Sequence, residues 1–206
     1  MAWNSVWTTS FWPLGDYQSP LVLENAQAAY DAMTGAGWTH NAAIAVIGNL
    51  CHESTGINPG QFEGGYNYSW AHGFGIAQWT PGTKVSDYIG SQAQGIADDG
   101  DKQIEFLINT PGQYSTYYLN PDGSAPYYGL TGLPYISSMA EFSQSEESIE
   151  DLTALWMVCW ERPGAAGAGL ATRLEYAQYF AEHIQARRHF PVWLMFKFKQ
   201  NNQNRY

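Results

Sequence analysis

Chemistry in this 206-residue chain starts from one carboxyl group, Glu53, and a glycine-rich run about twenty residues after it, Gly73-Phe74-Gly75-Ile76-Ala77-Gln78-Trp79. Glu53 closes a stretch of helical periodicity. At about 100° per residue, Ala43, Val46, Ile47 and Leu50 share one face, Ile44 and Cys51 edge it, and Ala45, Asn49 and His52 lie opposite. Thr39 suits an N-cap, and Gly56 followed by Pro59 ends the element. The spacing predicts a helix over Asn41–Ser54, with Glu53 in its last turn at the border of the apolar stripe. There the helix dipole presents partial negative charge and partial burial removes water, and both favour the protonated carboxyl. A carboxylic acid donates protons usefully near neutral pH once its pKa rises from about 4.3 toward roughly 6. Glu53 is placed where that would happen, although a lone glutamate at such a spot also reads as a solvated helix end.

The glycine-rich run fits the same chemistry. Gly73 and Gly75 lack side chains, so a ligand could approach the backbone. Phe74, Ile76 and Ala77 bury the segment. Gln78 brings an amide and Trp79 an aromatic face, a pairing suited to sugar hydroxyls and the apolar face of a pyranose. The same seven residues also read as a buried strand bounded by turns.

Glu53-Ser54 followed by Asn58-Pro59 and then by Gly-Phe-Gly-Ile-Ala-Gln-Trp resembles the lysozyme superfamily. Within it the chain is most similar to the tail-associated lysozyme domains of tailed bacteriophages, and more distantly to goose-type lysozymes and lytic transglycosylases. Further matches are Gly37-Trp38 with Asn41–Asn49, Gln103–Leu107, Trp156–Pro163 (WMVCWERP), Arg173 and Ala177, so that the resemblance covers roughly Leu21–Ile184. It implies an α+β, mainly helical, lysozyme-like fold with a small β-hairpin beside the acid-bearing helix. The implied activity is cleavage of the β-1,4 bond between N-acetylmuramic acid and N-acetylglucosamine in peptidoglycan, with Glu53 donating a proton to the bridging oxygen. Gly75, Gln78, Trp79, Tyr66 and Glu161 are the substrate-binding candidates, and no cofactor or metal is implied. The implied location is the virion tail, where the protein would open the wall for genome entry. One departure matters: lysozymes with an Asp-Tyr-Gly-type run carry an aspartate ahead of this strand, and here the matching place is Gly73, preceded by His72. A second catalytic group must then come from elsewhere. Glu63 ranks first because its loop leads into the strand, ahead of Asp87 and Glu161. Otherwise the sugar's own 6-hydroxyl attacks, as in a lytic transglycosylase.

Composition narrows the alternatives. Nine Lys and Arg against nineteen Asp and Glu give a net charge of −10, and five of the nine basic residues (Arg187, Arg188, Lys197, Lys199, Arg205) fall in the last twenty positions. The acidic body lacks the basic footprint that phosphate binding requires, which argues against nucleic acid. It also gives no electrostatic steering toward an anionic wall, so glycan affinity must come from aromatic and hydrogen-bonding contacts. No apolar run reaches the roughly 20 residues of a membrane span, and the N-terminus has neither the basic flank nor the apolar core of a signal peptide. Synthesis is therefore expected in the host cytoplasm. Cys51 and Cys159 are too few and too separated for a disulfide framework or zinc site and read as buried thiols. A cysteine peptidase is disfavoured because adjacent Cys51-His52 cannot face each other on a helix. A zinc peptidase is disfavoured because Gly56 stands where a second histidine would be needed. An inactive structural or glycan-binding tail-tip protein is the remaining rival.

The elements that must hold the site follow from periodicity. Residues 1–20 read as an aromatic arm laid across the domain or reaching a partner, 21–186 as the catalytic domain, and 187–206 as a basic, aromatic tail, with both ends available to other tail proteins. Helices are predicted over Leu21–Met33, Thr83–Ser91, Lys102–Ile108, Glu146–Arg162 (capped by Ser143 with Glu146) and Leu170–Ile184. The irregular, tyrosine-rich stretch Pro111–Phe142 reads as an aromatic flank of a glycan cleft or as an insertion packed on itself.

Overall fold

The computed structural model describes residues 3–164 and 169–185; the basic tail expected over 187–206 lies outside them. The fold is mainly helical. Helix α1, Pro20–Gly35, begins at Ser19, whose Oγ accepts from the Val22 N–H at 3.3 Å. Helix α2, His40–Glu53, begins at Thr39, whose Oγ1 accepts from the Ala42 N–H at 3.2 Å. Helices α3 (Thr83–Ile89) and α4 (Gly100–Asn109) follow, the second capped by Asp99. Then come α5 (Met139–Ser143), α6 (Ile149–Trp156) and α7 (Leu170–His183).

The predicted amphipathic character of α2 is not what the structure has. Every residue from Ala42 to Cys51 is buried, including Ala45 and Asn49 on the supposed polar face. The reason is position: α2 runs through the middle of the domain, packed chiefly against α7 and α6 and also against α1. A buried polar group needs partners, and Asn49 has them, donating to the Ala45 carbonyl at 2.9 Å and to the Thr153 carbonyl of α6 at 3.1 Å. Gly48 marks the closest approach to α7. A β-carbon there would stand 2.7 Å from Ala177 Cβ and 2.8 Å from the Arg173 carbonyl oxygen.

Other boundaries also moved. Ser143 ends α5 instead of capping α6, and the cap belongs to Ser148, whose Oγ accepts from the Asp151 N–H at 3.0 Å. The long helix expected through Arg162 stops at Trp156 and becomes a π-helical turn, Met157–Glu161, closed by Arg162 at φ 52°. The tyrosine-rich stretch forms three 3-10 turns before α5. Within it Tyr118 stacks on Tyr127 at 4.7 Å and meets Tyr128 edge-on at 5.7 Å. The expected β-hairpin is reduced to isolated bridges, Phe62 with Phe74 and Phe74 with Trp79. Residues 3–12 run along the domain, joined to it by a parallel bridge between Thr8 and Gln61. Among the described residues no helix is long and apolar enough to cross a membrane.

Gly48→Ala tests the α2–α7 contact. Alanine in a helix gains up to about 1 kcal/mol over glycine, but backbone and Cβ atoms inside 3 Å force α7 away, and overpacking costs about 1–3 kcal/mol. The expected outcome is a lower melting temperature in thermal unfolding, opposite in sign to the helix-propensity effect.

Candidate active site

Two clefts meet at Glu53. One, about 450 Å³, is walled by Trp79, Lys84, Gln113, Trp160, Glu161 and Arg162; the other, about 500 Å³, by Thr9, Phe11, Thr55, Gln61, Phe62 and Gly64–Gly65. Glu53, Glu63 and Gln78 line both, so the two form one groove with three polar side chains at its waist.

Arg173 of α7 governs the charge at that waist. Its side chain is 1% exposed, its Nη2 donates to Glu53 Oε1, and its Nη1 donates to Asn49 Oδ1 at 3.0 Å. Glu53 keeps 20% of its side chain exposed, facing the groove, with His52 Nδ1 3.9 Å away. Burial pushes the Glu53 carboxyl up, but the His52 ring and the Arg173 guanidinium outweigh burial and hold it below the ordinary carboxylate range. This corrects the expectation of a protonated Glu53: the helix terminus and desolvation act as supposed, and a buried cation overrides them.

The higher proton affinity belongs instead to Glu161. Burial, and then repulsion from the Glu53 charge, push its carboxyl well above the usual range, against the opposing pull of Arg173 and the Trp156 hydrogen bond. Trp156 Nε1 donates to Glu161 Oε1 at 3.0 Å. In one cleft, therefore, the surroundings of Glu53 and Glu161 drive their proton affinities apart, Glu53 down and Glu161 up, a pattern that suits paired acid and base roles.

Glu63 sits across the waist with 43% of its side chain exposed, and its Oε2 accepts from the Gly73 N–H at 2.9 Å, with His72 Nδ1 at 3.8 Å. Gln78 lines the groove, but its Nε2 donates inward, to the Gln61 carbonyl at 3.1 Å and the Gly75 carbonyl at 3.0 Å. Trp79 forms part of the cleft wall while almost wholly buried. Gly75 lines neither cleft. At φ 82°, its missing β-carbon makes room for the Gln103 amide, 2.5 Å from where that atom would be. Tyr66 also lies off the groove, stacked on His72 at 3.6 Å. Asp87 is exposed on α3, beside a separate depression with Ser86 and Gly90. Of the tyrosine-rich stretch only Gln113 reaches the clefts, and Tyr117, Tyr118, Tyr127 and Tyr128 pack on one another.

Sequence reasoning gave Arg173 no role, although a cation among Leu170, Leu174 and Ala177 on the inward face of a helix is a signal, since such a charge needs a buried partner. It also gave no role at the site to Lys84, Trp160 or Arg162, the last two of which entered only as part of the helix and match ending at Pro163. Among the described residues no group of three His, Cys, Asp or Glu could hold a metal ion. Cys51 and Cys159 are buried and unpaired, and burial raises both thiols, Cys159 to about 11, which disables them as nucleophiles at neutral pH.

The opposed shifts predict a pH signature in stability. A carboxyl raised on folding contributes stability below its unfolded pKa of about 4.3 and loses it as pH rises through the folded value, whereas depressed Glu53 does the reverse. Glu161→Gln removes only the first effect and keeps an oxygen for Trp156. The melting temperature of the variant minus that of the wild type should rise as the pH climbs above the unfolded value of about 4.3 and level off once the pH passes the raised folded value, read by thermal unfolding at each pH.

Morphogenesis protein 1 of Bacillus phage B103 is 29% identical over 140 residues, 68% of this chain and 34% of that protein, so the chain spans about a third of its relative's length. Residues 24–184, a range holding Glu53, Glu63, Gln78, Glu161 and Arg173, match the family model of phage tail lysozymes, and the chain belongs to that family.

Proposed function

We propose that the protein is a peptidoglycan glycosidase that cuts the β-1,4 bond between N-acetylmuramic acid and N-acetylglucosamine, carried on a phage tail to open the wall for genome entry. The observation that carries this reading is the pairing of Glu53 and Glu161 in one groove with their proton affinities driven apart. Membership of a lysozyme family supports the substrate class, and kinship to a phage morphogenesis protein supports the location.

The pair holds one proton, stored on Glu161 while the groove is wet. A glycan filling the waist displaces water and makes the ionised Glu53 costlier, so the proton passes to Glu53. Glu53 then gives it to the bridging oxygen as positive charge develops at the sugar carbon. Glu161, now ionised, retains Arg173 and the Trp156 N–H as stabilising partners. Glu63 activates water at that carbon. Its carboxylate lies against the Gly73 N–H, which brings a carboxyl group to the backbone position where related lysozymes carry an aspartate.

The test is digestion of purified peptidoglycan with mass spectrometry of the products. Wild type should release muropeptides with reducing ends. Anhydro-muramic ends would move the reading to a transglycosylase, with the 6-hydroxyl replacing water, and free stem-peptide termini or no products would overturn it. Glu53→Gln should reduce kcat by about 10²- to 10⁴-fold, the span of a lost general acid. Because that change leaves the Arg173 charge without an anion at Glu53, its melting temperature is measured alongside, to separate lost chemistry from lost fold. Glu161→Gln gives a second, sharper result. Without the stored proton the active species exists only below the depressed Glu53 pKa, so the alkaline limb of the pH–rate profile should move toward acid.

A further inference from the structure

The groove extends beyond the matched family range. Its second arm is closed by residues 9–11, which precede residue 24 where the family match begins. Those three residues form a short turn held from both sides. Before it, Asn58 accepts from the Val6 N–H at 2.9 Å and donates to the Val6 carbonyl at 2.7 Å. The Thr8 N–H donates to the Gly60 carbonyl at 3.1 Å, and the Phe62 N–H donates to the Thr8 carbonyl at 2.8 Å. Trp7 is wedged among Phe62, Phe74 and Trp70, with ring centroids at 4.9, 5.6 and 6.0 Å. After the turn, Trp12 sets its ring edge-on to Tyr176 of α7 at 6.1 Å.

Between these anchors Phe11 is left 76% exposed. Its ring stands over Gly64, where a β-carbon would lie 3.8 Å from Phe11 Cζ, so the floor of this arm is bare backbone. Apart from Phe62 and the glycines the remaining lining is hydrogen-bonding, and it is neutral except for Glu63 and Glu53 at the waist. An exposed aromatic ring whose edge meets a glycine backbone, carried on a segment anchored on both sides, with the Thr9 and Thr55 hydroxyls beside it, is the chemistry that meets a pyranose: ring C–H groups on the open aromatic face and hydroxyls on the polar rim. We infer that Thr9–Phe11 build a sugar subsite on one side of the Glu53 waist, with Phe11 as its stacking platform and an N-acetylhexosamine of the glycan strand as its occupant. The inference rests on the glycosidase reading above and adds a determinant of how long a strand the groove grips.

Defined peptidoglycan glycan oligomers of increasing length, cut by wild type, Phe11→Ala, Phe11→Trp and Tyr117→Ala, test it. Tyr117 is an exposed ring that lines neither cleft, so its variant controls for loss of surface aromatic area. The expected result is that Phe11→Ala lowers the ratio of kcat/KM on long oligomers to that on short ones about three- to tenfold, the worth of one aromatic contact. Product lengths should shift, Phe11→Trp should restore the ratio, and Tyr117→Ala should match wild type. Wild-type cleavage with an unchanged ratio and product pattern in Phe11→Ala overturns the subsite while leaving the glycosidase intact. Absence of cleavage by wild type at every length overturns both.

Discussion

The structure depends on a guanidinium with almost no access to water. A charge as buried as that of Arg173 is tolerated only with ionic and hydrogen-bonding partners in good geometry, and two of these, Asn49 and Glu53, stand one turn apart on α2. The same contact therefore does two things. It fixes the register of α7 against α2, at the level where Gly48 lets the helices close on each other. It also sets the charge of the carboxyl group that faces the groove. Helix packing and the electrostatics of the site are one arrangement, and neither can change without the other.

The ionised state of Glu53 has a consequence for its neighbour, and the backbone is shaped to carry it. In an α-helix, residues five apart point about 140° away from each other, so Trp156 could not reach Glu161. The π-helical turn Met157–Glu161, closed by the Arg162 N–H donating to the Met157 carbonyl at 2.8 Å, brings positions five apart onto one side. Trp156 Nε1 then donates to Glu161 Oε1, and Trp156 and Trp160 stack at 5.0 Å behind it. Single π turns inside helices recur at functional sites, and here the turn delivers a carboxyl group into a place where burial and a nearby anion raise its proton affinity.

Much of the helical framework was legible because it rests on local rules. Thr39 and Gly56 bound α2 to within a residue or two, and apolar steps located α1, α4 and α7. What was not legible depends on partners distant in sequence. The all-round burial of α2 comes from three other helices closing on it. The charge of Glu53 depends on Arg173, 120 positions away, as well as on the adjacent His52. The stop of α6 at Trp156 follows from a change of hydrogen-bonding pattern that preserves the apolar spacing, so periodicity alone runs through it. The reach of Glu161 into the cleft was available from the ERP segment only through resemblance, since nothing in its spacing marks a π turn.

The glycine-rich run shows how a motif can point to the right place for the wrong physical reason. Gly73 and Gly75 make room for two side-chain amides and not for a ligand: a β-carbon at either would collide with Gln78 Oε1 or with the Gln103 amide. Gln103 accepts from the Ile76 N–H at 2.9 Å and donates to the Pro59 and Ala97 carbonyls, both at 2.9 Å, so one buried amide ties the run to α4 and to the loop after Glu53. Gln78 spends its Nε2 on the Gln61 and Gly75 carbonyls, which fixes which end of the amide lies over Gly73 at the groove. The glycines thus stiffen the wall opposite Glu53. A polymer with no strong electrostatic attraction to this acidic protein has to be positioned by short-range contacts alone, and such contacts select a geometry only when the wall presenting them does not yield.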